Sequence, residues 1–240
     1  DGVRVYKQRE WAARFPWLTQ GITTRATDLN LEPLGDLAGS PETAPGAADW
    51  ERVRHATGFE TLARCRQVHG REVMMVGPHD SVAQQCKADA LVTDGAGVLL
   101  TITVADCIPV FLVDPVGPIL GLAHAGWRGI AAGVVEAALT AMEGLGADTR
   151  RLRAHLGPGI CEDCYEVRGE VIRALGIAGE PRFVDLRRVV AERLASLGVD
   201  ANRVTRSGWC THCSAERPFY SFRGGDRNRR MAAFLGRKAG

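Results

Sequence analysis

The 240-residue sequence has no long unbroken apolar run, no marked excess of either charge, no internal repeat and no low-complexity tract. Each absence closes off a class. The most apolar stretch, residues 97 to 113, contains Asp106 and Pro109, so it is too broken to span a bilayer and no membrane partner is expected. Thirty Lys and Arg against 28 Asp and Glu leave a formal net charge of +2, and the arginines are scattered rather than striped. That pattern gives no nucleic-acid footprint. No signal peptide is visible, although the chain starts at Asp1 rather than Met, which leaves room for a removed leader.

What is present fits an ordinary globular chain. Hydrophobic residues make up 45% and charged residues 24%, and the length allows one large domain or two small ones with a sizeable core. Seven cysteines cannot all pair with one another. They include two C-x-x-C spacings, Cys161–Cys164 and Cys210–Cys213, which favours a reducing, cytoplasmic setting with metal or catalytic roles.

Short apolar runs at Ala90 to Val92, Val98 to Val104, Val110 to Val113 and Ile119 to Ala123, bounded by Gly, Pro and Asp, predict buried strands. Val3 to Tyr6, Gly21 to Thr24, Thr61 to Val68, Glu72 to Val76, Leu152 to Leu156, Arg203 to Arg206 and Phe219 to Phe222 predict further strands. Residues 28 to 48 and 77 to 88 read as a long surface loop and a polar connection. Three- and four-residue apolar spacing from Trp127 to Met142 predicts one helix ended by Gly144. Other helices are predicted from Asp49 to Thr57, Glu166 to Leu175, Leu186 to Leu197 behind an Asp185 cap, and Asn228 to Leu235. Strands and helices do not alternate strictly, so the expected class is α+β.

The chemistry-bearing side chains sit where apolar runs stop. Cys107 and His124 each follow or end such a run, and His69 lies in Gln67-Val68-His69-Gly70. Two imidazoles and one thiolate are a legitimate catalytic zinc set, with a fourth position left to water or substrate. Separations of 38 and 17 residues match no compact motif, so hydrogen-bonded loop histidines and a buried thiol are the competing reading. Arg128, at the start of the best helix, could hold an anion such as phosphate, or the segment could be a tight glycine turn. Arg25 and Arg223 follow strand signals and could reach a carboxylate or phosphate. The run Arg227 to Arg230 reads as a solvated helix face. Asp89 and Asp106 read either as acceptors fixing ligand tautomers or as turn residues. The four C-x-x-C cysteines could form a structural tetrathiolate zinc site, with free buried thiols as the alternative.

Several motifs occur together and in order: Gln67-Val68-His69-Gly70, Ala88-Asp89-Ala90-Leu91-Val92-Thr93, Ala105-Asp106-Cys107, His124-Ala125-Gly126-Trp127-Arg128-Gly129, Gly157-Pro158-Gly159-Ile160 with Cys164-Tyr165-Glu166-Val167, and Tyr220-Ser221-Phe222-Arg223. Over roughly residues 20 to 235 the chain resembles the YfiH-like family, long labelled polyphenol oxidase or laccase-domain proteins and now regarded as purine nucleoside phosphorylases. The resemblance implies a single α+β domain over residues 1–240, with mixed sheets flanked by helices, akin to the catalytic fold of cytotoxic necrotizing factor toxins. It implies a metal, usually zinc with copper as the alternative, on His69, Cys107 and His124.

The implied activities are phosphorolysis of adenosine, inosine, guanosine and methylthioadenosine, and deamination of adenosine. Purine nucleosides and phosphate are then the expected partners. Arg25, Arg128 and Arg223 are the expected phosphate holders, with Gln67 as a further substrate contact, and Cys107, His124, His69, Arg25 and Arg223 as the catalytic set. The older oxidase label is chemically starved. A multicopper site needs many histidines, often in His-x-His pairs, and this chain has six histidines and no such pair. A metal-free Cys–His hydrolase or deamidase, with Cys107 as nucleophile and His124 as base, is the remaining rival.

Overall fold

A strand buried on both faces shows an unbroken apolar run instead of alternation, and the four central runs of this sequence fold as such strands. The computed structural model describes residues 2–31, 46–77, 86–179 and 181–239. The elements in chain order are β1 (Val5–Tyr6), α1 (Arg9–Arg14), β2 (Leu18–Thr23), α2 (Ala47–Thr57), β3 (Thr61–Ala63), β4 (Val73–Met75), β5 (Ala90–Thr93), β6 (Val98–Val104), β7 (Ile108–Asp114) and β8 (Ile119–Ala125). They continue with α3 (Trp127–Ala132), α4 (Val134–Gly144), β9 (Arg153–Leu156), α5 (Gly169–Leu175), α6 (Leu186–Ser196), β10 (Val204–Arg206) and β11 (Met231–Arg237).

Two mixed sheets result, with orders β1-β2-β11-β6-β3 and β10-β9-β7-β8-β5-β4. Their inner faces pack together: Leu100, Ile102 and Val104 of β6 and Met231, Ala233 and Leu235 of β11 meet Phe111 and Val113 of β7 and Leu120 and Leu122 of β8. The other face of the six-stranded sheet carries Ile108, Val110 and Leu112 and is covered by apolar residues of α3 to α6. The outer face of the five-stranded sheet, with Leu99, Ala232 and Phe234, is covered by Trp50 and Val53 of α2. This is a mixed α+β domain in four layers. Each buried Leu, Val or Phe contributes about 1.5–3 kcal/mol through removal from water.

Several sequence expectations need correction. Asn228 to Leu235 is not a helix: β11 lies between β2 and β6 in antiparallel register, Phe234 facing Gly21 on one side and Thr101 on the other. Its spacing of Met231, Phe234 and Leu235 looks helical, but both sheet faces are apolar, so alternation is hidden. Phe219 to Phe222 is irregular, not a strand. The single helix expected from Trp127 to Met142 breaks at Gly133, which sits at φ 93° between α3 and α4. The Asp49 cap is replaced by Gly46, with Asp49 in the first turn of α2, whereas Asp185 caps α6 as expected by accepting the Arg187 N–H. Helix α1 lies between Tyr6 and Gly21, where the sequence predicts only a loop joining two short strands. Most of the loop expected at 28 to 48 and of the connection at 77 to 88 lies outside the described residues.

The seven cysteines also divide differently from a fully reduced set. Cys65 and Cys86 form a disulfide, leaving Cys107 and the two C-x-x-C pairs free. The disulfide weighs against the expected reducing compartment, while the two C-x-x-C pairs on which that expectation rests stay free. The disulfide and a parallel bridge between Arg66 and Lys87 tie the segment after β3 to the segment before β5.

The register places one end of the sandwich under special load. Chain segments 64–72 and 105–107 both cross there from the five-stranded to the six-stranded sheet. Strands β8 and β9 end there, and β11 begins there beside Val104. His69, Cys107 and His124 belong to three of these segments.

Candidate metal centre and cleft

Position, not sequence distance, brings the three ligand candidates together. Cys107 precedes β7, and His124 in β8 pairs with Pro109 of that strand, so the two lie on adjacent strands at the same level. His69 arrives on the crossing from β3 to β4. One donor atom from each of the three falls within 4.8 Å of the other two. The imidazoles of His69 and His124 meet edge to face, with ring centroids 4.8 Å apart.

Asp89 builds this arrangement. Its side chain is fully buried, and Oδ1 lies 2.9 Å from Nδ1 of His124. The same carboxylate accepts the backbone N–H groups of Val68, His69 and Gly70 at 3.0, 3.0 and 2.8 Å. Burial works against its ionisation, but these hydrogen bonds and the His124 charge hold its carboxyl below the usual range. An ionised Asp89 accepts a hydrogen bond from Nδ1–H of His124, which leaves Nε2 as the ligand atom. His69 adopts φ 58° and Asp106 φ 83°, left-handed conformations that cost about 1–3 kcal/mol each and concentrate at functional sites.

Charge is pooled between the sulfur and the rings. Burial opposes ionisation of Cys107, yet His124 and His69 bring its thiol down to about 6. Burial likewise disfavours the His124 cation, yet Cys107 and Asp89 push it up to about 9. Each group favours the charged form of the other, and a metal ion held by His69, Cys107 and His124 would take the place of the shared proton. Gly126 completes the fit. A methyl group there would stand 2.9 Å from Cys107 Sγ and 3.1 Å from His69 Cδ2. Three donors, a buried carboxylate behind one of them and an absent side chain in front fit a bound ion with an open coordination position.

The three ligands open into a cleft of about 420 Å³. Trp127, Tyr165 and Phe222 supply aromatic surface to it, and Arg128, Arg223 and Arg230 supply cations. Arg128 stacks on Trp127 with 4.2 Å between its guanidinium carbon and the ring centre, and Arg223 lies 5.3 Å over Tyr165. Arg223 also donates to the carbonyl of Glu166. Burial and the nearby Cys107 charge push the Tyr165 phenol up to about 12.

Other expected residues are placed as follows. Gln67 lines the cleft, but its amide is engaged with Thr103, accepting from the backbone N–H and the hydroxyl and donating to the carbonyl. Arg25 is not among the residues lining this cleft: it pairs with Asp226 at 2.5 Å and stacks on Tyr220. Asp106 touches neither imidazole. It accepts from the Thr211 hydroxyl and the Arg223 backbone N–H, tying the Cys107 turn to two distant loops. Tyr165, Phe222, Trp127 and Arg230 had not been singled out for the site. Tyr165 and Phe222 stand inside motifs already noted, which was the available signal. Arg230 belongs to the run that the sequence presents as a solvated helix face, but no helix forms there and its side chain lines the cleft.

The sequence profile of the family described as multi-copper polyphenol oxidoreductase laccase matches residues 23–238. A Streptomyces griseus protein named purine nucleoside phosphorylase ORF3 is 39% identical over 230 residues, covering 89% of this chain and 92% of that one. The chain belongs to the YfiH-like family. A Bacillus licheniformis YfiH structure superimposes with a TM-score of 0.80 at 25% identity, covering 99% of this chain and 98% of that one. Another relative from an unknown prokaryotic organism, named adenosine deaminase RL5, is 35% identical over 138 residues, 52% of this chain and 53% of its own length. The matched span of this YfiH-like chain includes His69, Cys107 and His124.

Proposed function

We propose that this chain is a zinc-dependent purine nucleoside phosphorylase acting on adenosine, inosine, guanosine and methylthioadenosine, with adenosine deaminase activity in the same cleft. The observation that carries the reading is the meeting of the His69, Cys107 and His124 donors, within 4.8 Å of one another, at a cleft that also holds three arginines and three aromatic rings. The names of the relatives point the same way.

His69, Cys107 and His124 hold the metal, which supplies Lewis acidity and lowers the pKa of water when bound. Tyr165, Phe222 and Trp127 offer flat apolar faces to a purine. Arg128 and Arg223 hold phosphate by charge and paired N–H donors. In phosphorolysis that phosphate attacks the ribose anomeric carbon as the purine departs, with the arginines neutralising its charge. Arg25, fixed to Asp226, braces the loop that carries Phe222 and Arg223 into the cleft. We take residues 1–240 as one catalytic unit, because the cleft draws walls from Gln67 to Arg230, and as akin to the cytotoxic necrotizing factor catalytic fold.

Chromatography of products after supplying adenosine, with and without phosphate, tests the reading. Adenine with ribose 1-phosphate marks phosphorolysis, and inosine marks deamination. Absence of both products from folded, zinc-loaded protein refutes it.

One observation favours a second reading. A Cys107 thiol brought down to about 6 beside His124 is the pairing a metal-free Cys–His hydrolase or deamidase uses. Alkylation of Cys107 separates the two, since bound zinc shields the sulfur in the first, whereas in the second the thiolate stays open and its modification abolishes activity.

A further inference from the structure

Away from the triad, the two C-x-x-C pairs meet. The Cys161–Cys164 segment is a single 3-10 turn after the loop following β9, and the Cys210–Cys213 segment follows β10. A parallel bridge between Gly159 and Cys210 aligns them, although 45 residues separate Cys164 from Cys210 in sequence. All four Sγ atoms lie within 4.8 Å of one another. Zinc–sulfur bonds of about 2.3 Å set sulfur atoms about 3.8 Å apart in a regular tetrahedron. The Cys161 and Cys213 sulfurs stand 3.7 Å apart.

Backbone geometry prepares one of the sulfurs as an anion. Cys210 Sγ accepts the N–H groups of Cys161, His212 and Cys213 at 3.3, 3.3 and 3.5 Å. Three N–H dipoles converging on one sulfur stabilise a thiolate and, across a C-x-x-C pair, orient it toward its partners.

We propose that Cys161, Cys164, Cys210 and Cys213 bind one zinc ion in a structural tetrathiolate site, separate from the His69–Cys107–His124 centre. Four thiolates leave no position for substrate, so the site is closed and serves the fold. Cys213 is solvent-exposed, where a redox-inert ion is the one that tolerates water and oxygen. The ion would tie the loop that brings Ile160 and Tyr165 to the cleft wall to a second loop that holds Asp106 from behind. Tyr165 directly follows Cys164, and Thr211 lies between the zinc-binding cysteines with its hydroxyl on Asp106, the residue before Cys107.

The test counts metal in full-length Cys107→Ala protein, so its outcome is independent of the reading of the cleft. One zinc per chain is expected to survive gel filtration, and Cys107→Ala/Cys161→Ser/Cys213→Ser is expected to hold none. Cobalt-loaded wild type supplies a second measurement that needs no variant. Its near-ultraviolet sulfur-to-metal band is expected at several times the intensity one thiolate gives, with the visible bands of tetrahedral cobalt. No tightly held zinc in folded Cys107→Ala protein, a cobalt band of single-thiolate intensity, a Cys161–Cys213 disulfide on peptide mapping, or iron in place of zinc would each overturn the proposal.

Discussion

Oδ1 of Asp89 lies 2.9 Å from Nδ1 of His124 while the same carboxylate holds three successive backbone N–H groups of the loop that carries His69. One buried acid therefore sets the tautomer of one ligand and the position of another. Asp89→Asn keeps the shape but turns an NH₂ group toward donors. Metal affinity is expected to fall about 10- to 100-fold, the usual effect of losing a partner behind a ligating histidine. Competition against a chromophoric chelator measures it, and an affinity within twofold of wild type would sink the assignment.

Gly126 offers a cleaner probe because its backbone, at φ −80° and ψ 163°, suits any residue. Gly126→Ala changes only a methyl group, placed against both Cys107 Sγ and His69 Cδ2. As the N-cap of α3, where Gly is preferred to Ala, it bears a capping cost of up to about 1 kcal/mol, a shift of only about 2–4 °C in a domain of this size. Zinc content is expected to drop by more than half with the melting temperature of the metal-free protein nearly unchanged. A variant that loads zinc normally would show that the ion sits elsewhere.

The legibility of this chain follows from what each element buries. Strands β5 to β8 are wrapped on both faces, so their runs of Val, Leu and Ile announced them directly. Strand β11 is wrapped in the same way, yet small Ala232 and Ala233 between larger residues imitated a helical stripe. For the triad, spacing said little, because sheet crossings and the Pro109–His124 register create the proximity. The ordered motifs supplied what spacing lacked. The four-cysteine cluster was visible as two pairs, but their meeting depends on the Gly159–Cys210 bridge, a tertiary fact.

Arg128 is exposed, stacked on Trp127, and no carboxylate pairs with it among the described residues. A cation held in place but not neutralised is suited to an incoming anion. Arg128→Ala is expected to raise the KM for phosphate at least about tenfold, equivalent to about 1.4 kcal/mol of binding, with zinc content unchanged. Initial rates across phosphate concentrations at saturating nucleoside give the value. A KM that does not move, with phosphorolysis otherwise intact, would remove Arg128 from the phosphate site.

His155 makes stability depend on pH at a point remote from the ligands. It is buried between Trp11 and Phe111, with Nδ1 2.9 Å from the Thr205 hydroxyl and Nε2 buried without a partner. The Thr205 hydroxyl lies 3.3 Å from the Ala154 carbonyl, so it donates there and accepts from Nδ1, which leaves Nε2 bare. A proton on Nε2 would be a buried charge with no acceptor, and burial depresses the imidazole to about 4. The unfolded chain takes up this proton near pH 6.5, the ordinary value, whereas the folded chain resists until about 4. Between those values the unfolded state binds more protons, so stability rises with pH through the window and is fully present above 6.5. Acidification from 6.5 to 4 is expected to cost about 3 kcal/mol from this group alone. His155→Phe keeps the ring packing and removes the titration. Urea unfolding of metal-free protein at several pH values is therefore expected to show a shallower acid limb in the variant than in wild type, and parallel limbs would refute the assignment.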